Sequence, residues 1–212
     1  MFCGVGPLSV KAAVKRPKLK VLANDLNPEG VEFLKRNIKL NKIDKRVLPF
    51  NMDARAFLRM LVDKDDKSDT KLSVPKDFLR FDHCYMNLPV DAVEFLDCFI
   101  GVFTRADKEI WLRPGETEIR LPLIHVYGFT YEADREKALV FFVDRIGKAM
   151  NFPQFNADMV TSFHNIRDVS SKSSMYSTTF RLPAEVAFAD SSTSIYSEFK
   201  EAAMPEKRPK LN

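Results

Sequence analysis

The turn Cys3-Gly4-Val5-Gly6-Pro7 narrows the folds open to this sequence more than any other stretch, because it stands before a short apolar strand that ends in an acid. The strand, Lys20 to Ala23, runs into Asn24-Asp25-Leu26-Asn27-Pro28. Two glycines let a backbone approach a bulky ligand without Cβ clash, and an acid about 20 residues later, at the tip of the next strand, can accept both hydroxyls of a ribose. Asp25 stands at that position. Ser9 replaces the third glycine of a dinucleotide site and Pro7 stiffens the turn, so a nucleoside cofactor without a pyrophosphate suits the spacing better than a nicotinamide or flavin. Adenosylmethionine is such a cofactor. An apolar strand ordinarily leads into a turn of this kind, and only Met1 and Phe2 precede Cys3. The expectation is therefore a domain whose first strand is largely missing.

Along the chain, helix and strand patterns alternate. Leu8 to Val14 has helical composition; Pro28 opens a second helix that carries Val31, Leu34 and Ile38 on one face and ends near Asn41. Arg46 to Phe50 reads as a strand leading to Asn51-Met52-Asp53-Ala54, and Phe57, Leu58, Leu61 and Val62 mark another helix. The charged stretch from Asp63 to Asp77 reads as a solvated loop. Phe81 to Met86 is a strand ending at Asn87-Leu88-Pro89, Ala92 to Ile100 an apolar helix, and Thr104 to Thr117 a connection. Leu123 to Phe129 is a further strand and Glu132 to Met150 a long helix; Met159 to Phe163 and Met175 to Leu182 close the pattern as an antiparallel hairpin. Such alternation predicts an α/β domain with a mostly parallel sheet over residues 1–189, followed by a disordered tail over 190–212.

With 212 residues, 45% of them hydrophobic, the chain can bury one α/β core. A net charge of +4 permits an anionic partner without identifying one. Cys3, Cys84 and Cys98 have no CxxC spacing and His83, His125 and His164 are scattered, so the sequence indicates neither a disulfide framework nor a metal site. No apolar run approaches the roughly 20 residues that cross a bilayer.

In an open parallel sheet the carboxyl ends of the strands face one crevice. Gly4, Gly6 and Pro7 at the turn, Asp25 at one strand tip, Asp53 with Ala54 at the next, and Asn87 with Pro89 at a third therefore converge on it. Each has a plainer reading. Asp25 and Asp53 are also residue types that cap helices, and Asn-x-Pro also starts turns. Asp53 could meet an adenine amino group, with Ala54 supplying a backbone amide, and the Asn87 amide can both donate to and accept from a base edge.

Taken together, Phe2-Cys3-Gly4-Val5-Gly6-Pro7, Asn24-Asp25-Leu26-Asn27-Pro28, Asn37-Ile38-Lys39-Leu40-Asn41-Lys42, Met86-Asn87-Leu88-Pro89 and the later His164-Asn165-Ile166-Arg167-Asp168-Val169 resemble the archaeal and eukaryotic tRNA (guanine-N1)-methyltransferases that modify the purine 3′ of the anticodon. The resemblance covers about residues 1 to 187 and implies a Rossmann-like class I methyltransferase sheet, S-adenosyl-L-methionine as donor and the tRNA anticodon loop as substrate. It implies Phe2, Gly4, Gly6 and Pro7 on the methionine side, Asp25 and Asn27 near the ribose, Asp53 near adenine, and Asn87 and Pro89 facing the donor and the guanine, with Asn87 positioning the target base. In that family the proposed general base lies ahead of the glycine turn, so no residue is assigned to that role. The resemblance also implies a monomer without a membrane anchor, in cytoplasm, nucleus or mitochondrial matrix. Two other readings stay open. One is an aminocarboxypropyl transferase of wybutosine formation, in which Glu-Trp-Asn-Pro tends to stand where this chain has Asp25-Leu26-Asn27-Pro28. The other is a non-catalytic cofactor- or RNA-binding remnant.

Overall fold

The computed structural model describes residues 1–88, 90–132, 134–170 and 173–190. Helix α1 (Pro7–Lys15) follows the glycine turn and leads to strand β1 (Val21–Asn24), helix α2 (Pro28–Leu40) and strand β2 (Val47–Phe50). Helices α3 (Ala54–Val62), α4 (Asp69–Leu72) and α5 (Lys76–Leu79) precede strand β3 (His83–Met86). Two 3₁₀ segments, Glu94–Phe99 and Val102–Arg105, and helix α6 (Lys108–Trp111) lead to strand β4 (Leu123–Thr130) and helix α7 (Arg135–Ala149). Strands β5 (Val160–Ser170) and β6 (Ser173–Arg181) and the short helix α8 (Ala184–Ala187) close the order. The α/β class and the parallel pairing expected from the alternation are present: β1 runs parallel to β2, β3 parallel to β4, and β6 joins β4 and β5 antiparallel as the edge hairpin.

The strands form two sheets, β1-β2 and β3-β4-β6-β5. Residues 1–3 lie between them. The Cys3 amide donates to the Asn24 carbonyl at 3.0 Å and the Met1 amino group to the Tyr85 carbonyl at 2.7 Å, so this short segment is bonded to both neighbours.

Each sheet is covered according to its side-chain pattern. On β1-β2, Ala23 and Val47 pack with Ala13 of α1 and Leu34 and Ile38 of α2; Leu22 and Leu48 meet Phe57, Leu61 and Phe78 on the opposite face. Helix α7 is started by Asp134, whose carboxylate accepts from the amides of Glu136 and Lys137, and it buries Ala138, Phe142 and Ile146, one face at four-residue spacing, beneath β4. The alternate residues of β3 and β4 face outward. There His83 Nδ1 lies 2.9 Å from His125 Nε2, the Tyr85 ring stacks on His125 with centroids 4.1 Å apart, and His125 Nδ1 meets Thr179 Oγ1 at 2.9 Å.

Three local expectations are corrected. The stretch from Asp63 to Asp77 contains α4 and the start of α5 and buries Val74, with Phe78 just beyond it. Ser68 caps α4, and so few apolar positions sit among the charges that no period shows. In place of the apolar helix expected over Ala92 to Ile100 stands a 3₁₀ segment over Glu94–Phe99; its buried Leu96 and Phe99, with the buried Val93 that precedes it, recur every third residue, the period of three residues per turn. The connection from Thr104 to Thr117 carries α6, whose Trp111 is buried against Phe103. The tail expected beyond residue 190 lies outside the described residues.

Candidate functional site

The candidate site, and the crevice expected there, is bounded by the carboxyl ends of β1, β2 and β3. Gly4 and Gly6 both take left-handed backbone, at φ of +52° and +86°. A Cβ on Gly6 would overlap Leu34 Cδ1, which makes glycine a packing requirement there; at Gly4 the space a Cβ would enter is open for 4 Å. The turn is closed by the Gly6 amide donating to the Cys3 carbonyl at 2.9 Å. Ser9, where a dinucleotide site has its third glycine, is buried and its hydroxyl donates back to the Gly6 carbonyl at 3.3 Å. Pro7 is the first residue of α1, where its missing N–H costs nothing.

Asp25 ties this turn to the tip of β1. One carboxylate oxygen accepts from the Gly4 amide at 2.6 Å and the other from the Asn27 amide at 2.9 Å. Capping of α2 falls to Asn27, whose side chain accepts from the Glu29 amide at 3.0 Å. Asp53, at the end of β2, caps α3: a single oxygen, Oδ1, accepts from the amides of Arg55 and Ala56 at 2.9 and 3.1 Å. Ala54 is the first residue of α3, its methyl buried. Asn87 is exposed just past β3, and its side-chain amide has no partner among the described residues. Pro89 lies outside the described residues.

Phe2 is half-buried and meets Phe95 edge to face at 4.9 Å. Burial, reinforced by the Asp25 carboxylate, pushes the Cys3 thiol up to about 11, so it is protonated at neutral pH and unsuited to nucleophilic work. Cys84 and Cys98 are buried and their thiols are raised as well, by desolvation first.

Several residues that shape the crevice had no role in the sequence reading. Asn37 of α2 donates to the Val5 carbonyl at 2.9 Å and pins the glycine turn. Asn51 donates to the carbonyls of both Asp25 and Leu26 at 2.9 Å. That holds Leu26 at the tip of β1 with 68% of its surface exposed, an apolar side chain standing beside the carboxylate. Asn24 is fully buried; its side chain donates to the Met52 carbonyl at 2.9 Å and accepts from the Met52 amide at 3.0 Å. The available signal was the recurrence of asparagine at strand ends, which marks amides that bond to backbone. Among the described residues no cluster of His, Cys, Asp and Glu is placed to hold a metal, and no helix is long and apolar enough to cross a membrane.

An open left-handed glycine turn, a carboxylate at the adjoining strand tip and an exposed apolar side chain next to it suit a nucleoside with a ribose. The amide beyond β3 adds a group able to donate and accept.

Residues 1–107 match the family model described as TRM5/TYW2 methyltransferase domain. The chain is 38% identical over 223 residues to a tRNA (guanine(37)-N(1))-methyltransferase of Aspergillus fumigatus, covering 89% of this chain and 46% of that protein. It is 36% identical over 187 residues to the enzyme of the same name from Paramecium tetraurelia, covering 88% and 39%. Among solved structures, Trm5b from Pyrococcus abyssi superposes with a TM-score of 0.53 at 26% identity, over 85% of this chain and 42% of that one. The chain thus spans less than half the length of these relatives.

Proposed function

The chain belongs to the TRM5/TYW2 methyltransferase family, and from that membership we propose that it forms the donor-binding part of an enzyme that methylates N1 of guanine 37 in tRNA, with S-adenosylmethionine as donor. The observation that carries the proposal is the Asp25 carboxylate bonded to the Gly4 amide at the mouth of an open glycine turn.

In this reading the left-handed turn leaves room for the donor's methionine end beside Phe2, and Asp25 accepts the ribose hydroxyls with the lone pairs its two backbone amides leave free. Leu26 offers an apolar surface to the adenine. The Asp53 cap uses only Oδ1, and among the described residues Oδ2 accepts no hydrogen bond, in keeping with an adenine contact. S-adenosylmethionine supplies an electrophilic methyl group on a sulfonium. The protein's task is then orientation: the Asn87 amide donates to and accepts from the edge of the guanine and holds N1 toward the donor, and positioning of this kind can supply several kcal/mol of the barrier. Guanine N1 carries a proton that a base must take, and we assign none of the residues described above to that step. The target base has to leave the stack of the anticodon loop, a task that loop-binding elements elsewhere in a protein of the relatives' length would share. The relatives' shared name favours methyl transfer over aminocarboxypropyl transfer.

The test has two parts. Calorimetry of S-adenosylhomocysteine on this chain and on Asp25→Ala asks whether the turn and carboxylate form the donor site; binding that survives the substitution unchanged removes Asp25 from it. Mass spectrometry of tRNA, treated with a protein of the relatives' length that carries this chain and with its Asn87→Ala variant, asks for N1-methylguanosine next to the anticodon. The expected result is turnover that falls more than donor affinity, because the amide acts on the target base.

A further inference from the structure

The gap between the two sheets is crossed near the crevice by a line of side chains of which only Phe2 borders the donor site. Arg55, two residues after Asp53, pairs with Asp97 in the 3₁₀ segment beyond β3: its Nε lies 3.0 Å from one carboxylate oxygen and a terminal nitrogen 2.9 Å from the other. The pair is mostly buried, with 28% and 18% of the two side chains exposed. The same guanidinium lies 4.0 Å over the ring of Phe95, and Phe95 in turn meets Phe2, which leads straight into the glycine turn. Among the described residues no strand pairing joins β1-β2 to the four-stranded sheet.

We infer that Arg55 is a positioning residue for the nucleoside donor: through Asp97, Phe95 and Phe2 it sets the separation between the tip of β2 and the glycine turn, and so the width of the crevice. The inference rests on the donor-site reading given above. Arginine is required for geometric reasons. A planar fork can engage both carboxylate oxygens while its face covers an aromatic ring, and a lysine ammonium, a point charge on a flexible stem, cannot do both. Arg55 and Phe95 act as one unit, because the guanidinium covers the Phe95 ring and it is this ring that meets Phe2.

The experiment measures S-adenosylhomocysteine affinity and thermal melting on the 212-residue chain for Arg55→Lys, Phe95→Leu, the double variant and Ile146→Val. Ile146 is fully buried beneath β4 and is none of the four side chains of the line, so its substitution lowers melting while leaving the contacts among Arg55, Asp97, Phe95 and Phe2 in place. Each single variant in the line should weaken binding about tenfold, and the double variant should also weaken it about tenfold instead of the roughly hundredfold of independent sites. Ile146→Val should melt lower with unchanged affinity. Melting that drops in Arg55→Lys and Phe95→Leu while both bind within about twofold of the parent would make the line merely structural and overturn the inference. A hundredfold loss in the double variant would overturn the shared unit. Absence of binding by the parent chain would remove the donor-site reading and this inference with it. Should Arg55→Lys not fold, Phe95→Leu against Ile146→Val decides alone.

Discussion

The four-stranded sheet and the two-stranded one are held in different ways. The larger has a deep layer on one side only, where Phe99, Phe103, Trp111, Phe142 and Phe180 form one continuous core under β3, β4 and β6, while its other face shows His83, Tyr85 and His125. The smaller is covered on both sides, but by two thin layers that do not merge: Ala13, Ala23, Leu34 and Val47 on one, Phe50, Phe57, Leu61 and Phe78 on the other. Nearly every group of the crevice hangs on the smaller sheet and is fixed by hydrogen bonds to backbone. Hydrophobic depth anchors the fold in one half, and polar ties shape the site in the other.

The comparison can be broken first at the deep layer. Phe142→Ala should cost about 3–5 kcal/mol in urea unfolding, as removal of a fully buried ring does. A loss near 1 kcal/mol would mean that the large core is not where stability resides. Next comes the turn. Gly6→Ala combines a positive φ with overlap on Leu34 and should cost about 1–3 kcal/mol, with loss of S-adenosylhomocysteine binding in the same protein. Retained affinity would show that the turn is not part of the donor site. Asp25→Ala should separate function from stability, lowering affinity by about 1–3 kcal/mol while moving the unfolding midpoint little, since the carboxylate is partly exposed. A large drop in midpoint with affinity intact would reverse the roles given to the two halves.

The smallest effect belongs to the exposed face of the large sheet. Burial, then the neighbouring His83, hold the His125 imidazole down to about 4, against about 6.5 in an unfolded chain. Between those values the unfolded state binds the extra proton, so stability should fall as pH drops from about 6.5 to 4 and level off below it. Solvent reaches this ring, which keeps the effect small. Melting curves of the parent and of His125→Gln across that window check it: the variant should show the flatter profile.

The sequence made regular elements easy to see and ties hard to see. Val31, Leu34 and Ile38 announce α2, and Ala138, Phe142 and Ile146 announce α7, because burial on one helical face imposes a period. The 3₁₀ segment was read as an α-helix because Val93, Leu96 and Phe99 also suit an amphipathic helix over so few residues. That Gly4 stands in the turn and Asp25 and Asn87 at strand ends was legible from order alone, since helix and strand alternate in a parallel sheet. Asn37, Asn51 and Arg55 were not. Each works through a partner distant in sequence, Val5, Leu26 and Asp97 respectively, and a single sequence carries no period that joins such pairs.

Asn24 bears on how a sheet comes to an end. Its side-chain amide, paired in both directions with Met52, has the shape and polarity of a peptide unit, and it adds one counterfeit rung to the β1-β2 ladder after the backbones have begun to separate. The chain can part here without stranding a buried donor or acceptor. The sheet's border is thereby written in a replaceable side chain instead of the invariant backbone, so one substitution at this position would move the point where pairing stops and the crevice begins.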